Sequence, residues 1–124
     1  MATRYRVVLI TVPDKKVGLK LTQGLVDGNL AACVNFIPGV ESYYRWKGKV
    51  EKSSEVLLLA KTQKHLVDTI ASYVRENHPY ELCEVVSLPV TEGSKAYLEW
   101  IAAGTNPPRP PREVEKEDLE REVD

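Results

Sequence analysis

The sequence predicts an α+β domain organised around one antiparallel sheet, and three observations predict it. Runs rich in β-branched and aliphatic residues (Tyr5–Val12, Val56–Ala60, Leu82–Leu88) alternate with segments whose apolar residues recur at helical spacing. The stretch from Leu30 to Thr62 reads as two strands folded about Trp46-Lys47-Gly48-Lys49. Those two strands are too long to lie within one small domain, so the hairpin should overhang its own sheet.

Taken in order, Tyr5–Val12 (YRVVLITV) is the first strand. Pro13-Asp14 ends it, and Asp14 is placed to cap a helix whose apolar side carries Val17, Leu21 and Leu25. Gly28-Asn29 stops that helix. The second strand, from about Ala31 to Trp46, is interrupted by Pro38-Gly39, residues that belong at a bulge or an edge. The third restarts at Lys49-Val50 and becomes Glu55–Ala60 after Ser53-Ser54. A second helix spans about Lys64 to Asn77 and is broken by His78-Pro79. Leu82–Leu88 is the fourth strand, closed by Pro89. Ser94 then caps a short helix, Lys95–Ala103, ended by Gly104. The order β-α-β-β-α-β plus a C-terminal helix is the split βαβ, or ferredoxin-like, arrangement, with both main helices on one face of the sheet.

A chain of 124 residues has room for one core. The folded domain is expected over residues 1–104 and a proline-rich acidic tail over 105–124. In the tail, PPRPP should be an extended polyproline II spacer and EVEKEDLEREVD a solvated, disordered end available to a protein partner. The formal net charge is −1, so neither nucleic acid nor an anionic membrane is an expected partner. No apolar run is long enough to span a bilayer, and the N-terminal residues lead into a strand without a signal-peptide pattern. Cys33 and Cys83 make no zinc-finger or CxxC spacing and read as reduced thiols in strands. The expected compartment is therefore the cytoplasm, or an organelle after removal of a targeting peptide.

The strands are apolar on both faces. Val7-Val8-Leu9-Ile10, Val56-Leu57-Leu58-Leu59-Ala60 and Val85-Val86 leave no alternation, yet two helices cover only one side of such a sheet. An open second face would exceed the apolar patch that soluble monomers usually carry. A homo-oligomer is expected, with sheets packed on sheets and the hairpin reaching a neighbouring copy. Leu58 is expected within that dense packing.

The chemistry-bearing cluster is His78-Pro79-Tyr80-Glu81 with Glu84, at a helix-to-strand junction. Imidazole and carboxylate suit copper or zinc, and a complete site needs a further ligand from elsewhere in the chain or from another copy. The same residues suit a structural helix stop better, with His78 bonded at the helix C-terminus. Tyr43, Tyr44, Arg45 and Trp46 at the hairpin tip could wall a ligand or pack an interface. Glu55 and Lys61 could pair with each other or bind a ligand. Tyr43, Trp46, Lys61 and Tyr80 are the expected small-ligand residues. No nucleophile elbow, HExxH, P-loop or dinucleotide fingerprint occurs, so no enzyme activity is expected.

The residues Ala31-Ala32-Cys33-Val34-Asn35, Ile37-Pro38-Gly39, Ser42-x-Tyr44-x-Trp46-x-Gly48-Lys49, Ser54-Glu55-Val56 and Lys61-Thr62 resemble the CutA divalent-cation tolerance family. So do His78-Pro79-Tyr80-Glu81, Pro89-Val90 and Tyr97-Leu98-x-Trp100-Ile101, and the match spans roughly residues 5 to 103. The resemblance implies a homotrimer built like the PII signalling proteins. It also implies divalent copper binding, less so zinc, a role in metal tolerance and no established catalysis. The copper ligands of bacterial members, a cysteine and two histidines, fall by position on Ile10, Asn77 and His78 here. The metal-binding candidates in this chain are then His78, Glu81, Glu84 and Cys33. The alternative is a PII-like signalling or scaffolding trimer that binds a small ligand or a protein at clefts between subunits.

Overall fold

A computed structural model of the protein describes residues 4–108. Most of the tail expected over 105–124 lies outside the described residues. The strands are β1 (Tyr5–Val12), β2 (Cys33–Trp46), β3 (Lys49–Gln63) and β4 (Val85–Pro89), and they form one antiparallel sheet in the order β2-β3-β1-β4. The helices are α1 (Lys15–Asp27), α2 (Val67–Asn77) and α3 (Lys95–Ala103), with one 3₁₀ turn, Lys64–Leu66, before α2.

Local chemistry sets most of the boundaries. The Asp14 carboxylate accepts from the Val17 N–H at 2.9 Å and the Ser94 hydroxyl from the Tyr97 N–H at 3.2 Å, so both expected caps form. No side chain caps the turn at Gln63-Lys64, and the segment expected to be helical from Lys64 starts as 3₁₀ instead. The expected fourth strand loses its first three residues. Leu82, Cys83 and Glu84 belong to the loop after α2, and β1 pairs with β4 only from Val85 onward.

The core follows from register. Val8, Ile10 and Val12 stand opposite Ala60, Leu58 and Val56, and all six side chains point to one face. They are buried together with Leu21 and Leu25 of α1 and Ile70 and Val74 of α2, so both long helices cover that face. Gly24 lets the helices approach, since a Cβ there would stand 1.7 Å from the Tyr73 hydroxyl. Leu58, expected in the packing between copies, belongs to this internal core.

The opposite face carries Val7, Leu9, Leu57 and Leu59, flanked by Val86, Leu88 and Ile37 on the outer strands. Among the described residues of the single chain, only its far end is covered. There α3 buries Ile101, Gly104 lies against Ala32, and the buried Gln63 amide donates to the Thr105 hydroxyl at 2.6 Å. Asn106 bonds the Gly28 and Asn29 carbonyls, so the packed domain runs two residues past the expected boundary at Gly104. Val86 and Leu88 remain 48% and 50% exposed.

The hairpin overhangs. β1 pairs with β3 only between Val56 and Gln63, so residues 40–55 form a two-stranded ribbon with no third strand beside it among the described residues. A bulge separates Ile37 from Val40, where Gly39 takes a φ of +77°. At the tip Lys47 and Gly48 have φ of 50° and 80°, positive at both central positions as a type I′ turn requires.

Candidate functional site

Two clusters collect the candidate residues, one at the root of the hairpin and one on the open face. The first lies where β1 ends and α2 stops. The extended backbone of His78 turns its ring back over the sheet, and the residue is 8% exposed. Its Nδ1 accepts from the Tyr80 N–H at 3.1 Å, which leaves Nε2 to donate to the Thr11 carbonyl at 2.9 Å. Both ring nitrogens are thus committed to backbone, and His78 acts as the pin that fixes the post-α2 loop onto β1. The Tyr80 ring lies 5.0 Å from it. Burial first, then the nearby Glu55, Tyr44 and Asp14, hold the Tyr80 phenol above its ordinary range, so it stays a neutral donor.

The three positions that correspond to a Cys-His-His copper site offer no thiol and no free imidazole nitrogen. Ile10 is an aliphatic side chain in the helix-covered core. Asn77 donates through Nδ2 to the Tyr73 carbonyl at 2.8 Å, and His78 is engaged as described. Glu81 and Glu84 are exposed on the loop after α2, whereas Cys33 begins β2 and lies opposite Lys61. The four expected metal ligands therefore do not converge. Among the described residues no three of His, Cys, Asp and Glu group as a metal site. A tight site made by one chain does not fit this donor set. Beside His78 lies an open groove of about 550 Å³ lined by Lys16, Lys20, Glu76, Asn77 and Pro79.

The second cluster sits on the open face under α3. The Lys61 ammonium donates to the Asn35 side-chain Oδ1 and lies 3.9 Å from the Cys33 sulfur. The Tyr97 phenol neighbours Cys33, and burial first, then that thiol, raises it above its usual value. Trp100, one turn further along α3, stacks on Tyr97 at 5.5 Å. Lys61 does not pair with Glu55, as the sequence had allowed. Its partners are polar and uncharged.

Tyr43 and Trp46 lie out on the ribbon, 64% and 51% exposed, with Lys52 over the Tyr43 ring and Lys47 over the Trp46 ring. They do not meet Lys61 or Tyr80 within one chain. The ribbon residues near Tyr80 are Glu55 and Tyr44, and the Tyr44 hydroxyl bonds Ser53 at 2.7 Å. Sequence reasoning also missed Asn35, Tyr97 and Trp100 as companions of Lys61. Period-2 counting along β2 and β3 could have paired Asn35 with Lys61's face, but nothing local told that α3 would fold back over it.

The sequence profile of the family described as "CutA1 divalent ion tolerance protein" matches residues 6–104. The chain belongs to the CutA1 family. The divalent-cation tolerance protein CutA of Thermus thermophilus is 46% identical over 99 residues, covering 80% of this chain and 96% of that protein. The chloroplastic protein CutA of Arabidopsis thaliana is 48% identical, over 80% of this chain and 54% of its own length. Human protein CutA is 48% identical over 74% of this chain and 51% of its own length, so the chain spans about half of these longer relatives. Among solved structures, the Thermus CutA1 covers 82% of this chain with a TM-score of 0.81 at 44% identity. CutA1 from Oryza sativa covers 85% at the same TM-score and 42% identity. Family membership accounts for the conjunction seen here of a four-stranded sheet with three helices and an overhanging hairpin. No helix among the described residues is long and apolar enough to cross a membrane.

Proposed function

We propose that this CutA1-family chain works as a homotrimer of ferredoxin-like subunits in the cell's handling of divalent ions, without catalysis of its own. The observation that carries the assembly is the open sheet face together with the unsupported ribbon at residues 40–55. A two-stranded ribbon is marginal alone in water, and an apolar face of this extent needs covering. One event, the seating of a neighbour's ribbon and face, answers both needs. Copper ahead of zinc is the ion class proposed, following the family's tolerance role. Because one chain does not complete a site, ion binding would draw on the exposed carboxylates Glu81 and Glu84 with donors from a second copy.

The cytoplasm, or the lumen of an organelle as in the chloroplastic plant relative, fits two free cysteines. Any partner bound through the acidic tail involves residues outside those described. A second reading, a PII-like signalling or scaffolding trimer that takes a small ligand at its seams, is favoured by the Lys61 cluster, which offers donors in place of metal ligands. Calorimetric titration with Cu²⁺ and Zn²⁺ separates the two readings. The ion reading expects saturable heat that falls in Glu81→Ala/Glu84→Ala, and absence of heat above background removes it.

A further inference from the structure

We propose that Lys61, with Cys33, Asn35, Tyr97 and Trp100, forms a binding site for a small carboxylate that carries an aromatic or apolar body. Lysine is seldom drawn into a packed surface unless its charge is met. Lys61 is half-buried on the open face, opposite Cys33 across the β2–β3 ladder, and among the described residues no carboxylate lies within ion-pair distance of it. Its ammonium has three donor hydrogens. The Asn35 side-chain Oδ1 takes one, and the thiol at 3.9 Å is a weak acceptor. The Asn35 bond holds the ammonium beside the sheet, so an unneutralised donor is kept in place.

The surroundings define the rest of the ligand. The Tyr97 phenol neighbours the same thiol and, raised by burial, keeps its proton at physiological pH. A ligand oxygen meeting Lys61 would find that second neutral donor close by. Above it the Tyr97–Trp100 stack, with Trp100 half exposed, presents an aromatic wall. One fixed positive charge matches one carboxylate. A phosphate dianion would leave a charge unpaired against a face otherwise built of leucine and valine. Every group named lies within one chain, so the site stands independently of ion binding and names the ligand class for the small-ligand reading.

The test uses the full chain in EDTA, with benzoate, neutral benzyl alcohol and inorganic phosphate as probes. Binding is read from the Trp100 indole N–H resonance, assigned with Trp46→Phe. Benzoate should shift that resonance saturably, while benzyl alcohol and phosphate bind at least about tenfold more weakly, the loss expected when a charge-assisted bond is missing. Lys61→Gln should weaken benzoate by a similar factor, and Lys61→Arg should retain it. Overturning results are no saturable shift with benzoate, equal binding of benzyl alcohol, preference for phosphate, or undiminished benzoate binding in a folded Lys61→Gln. Should Lys61→Gln fail to fold, the wild-type comparison of benzoate with benzyl alcohol still decides. EDTA keeps failure of the metal reading from entering the result.

Discussion

The two faces of the sheet are made from the same strands, and adjacent residues have opposite fates. Ile10, Leu58 and Ala60 are sealed beneath α1 and α2, whereas Leu9, Leu57 and Leu59, one residue away in each strand, look onto a face that only α3 partly covers. Composition does not separate the faces. Burial on the first is supplied by the chain's own helices, and on the second it has to come from outside. Period-2 geometry turns a uniformly apolar strand into an internal core on one parity and an assembly surface on the other.

The comparison breaks most sharply at Leu58. Leu58→Asp places a charge in a core with no partner and should cost several kcal/mol, about 3–5, enough to lose the folded chain. Circular dichroism reads that loss. Leu59→Asp, next along the strand, should leave secondary structure in place and shift the species to single-chain mass by light scattering. An unfolded Leu59→Asp at low concentration would show that the two faces are not separable.

The ribbon gives the next largest effect. Tyr43→Ser with Trp46→Ser removes the two most exposed aromatics of residues 40–55 without touching the helix-covered core. Dissociation at micromolar protein is expected, with the chain still folded. His78→Ala should cost about 1–3 kcal/mol, because the Thr11 carbonyl and the Tyr80 N–H both lose their partner. It should leave any Cu²⁺ heat unchanged. Loss of that heat with stability retained would return His78 to the role of ligand.

The smallest effect is alkaline. Tyr97 and Tyr80 have phenols raised in the folded chain, so the fold binds those protons more tightly than the unfolded chain does. Their contribution is fully present below about pH 10, the ordinary phenol value, and fades as pH climbs through the raised values. Tyr97→Phe should flatten that decline in chemical denaturation midpoints measured at pH 9 to 11, and an unchanged slope would contradict the assignment.

Much of this was legible beforehand because it is local. Asp14 and Ser94 announce helix starts, Pro38-Gly39 announces a bulge, and Lys47-Gly48 announces a turn. The overhang was legible from strand length alone. Parity was not. A run such as Leu57-Leu58-Leu59 is symmetrical to inspection, and only the register against Thr11, Ile10 and Leu9 decides which leucine faces the helices. The site was partly hidden for a related reason. His78 looked like a ligand because imidazole ligates, but its two nitrogens are used by backbone groups distant in sequence or freed by the turn at Tyr80. The Lys61 companions come from two other elements, β2 and α3, and no motif spacing links them.

Sedimentation equilibrium of the wild-type chain across nanomolar to micromolar concentrations addresses the dependence of this fold on its own copies most directly. A mass three times that of the chain, with a melting temperature that rises as concentration rises, is the expected result. A single-chain mass throughout, with a melting temperature that ignores concentration, would show that the open face of the sheet is stable in water.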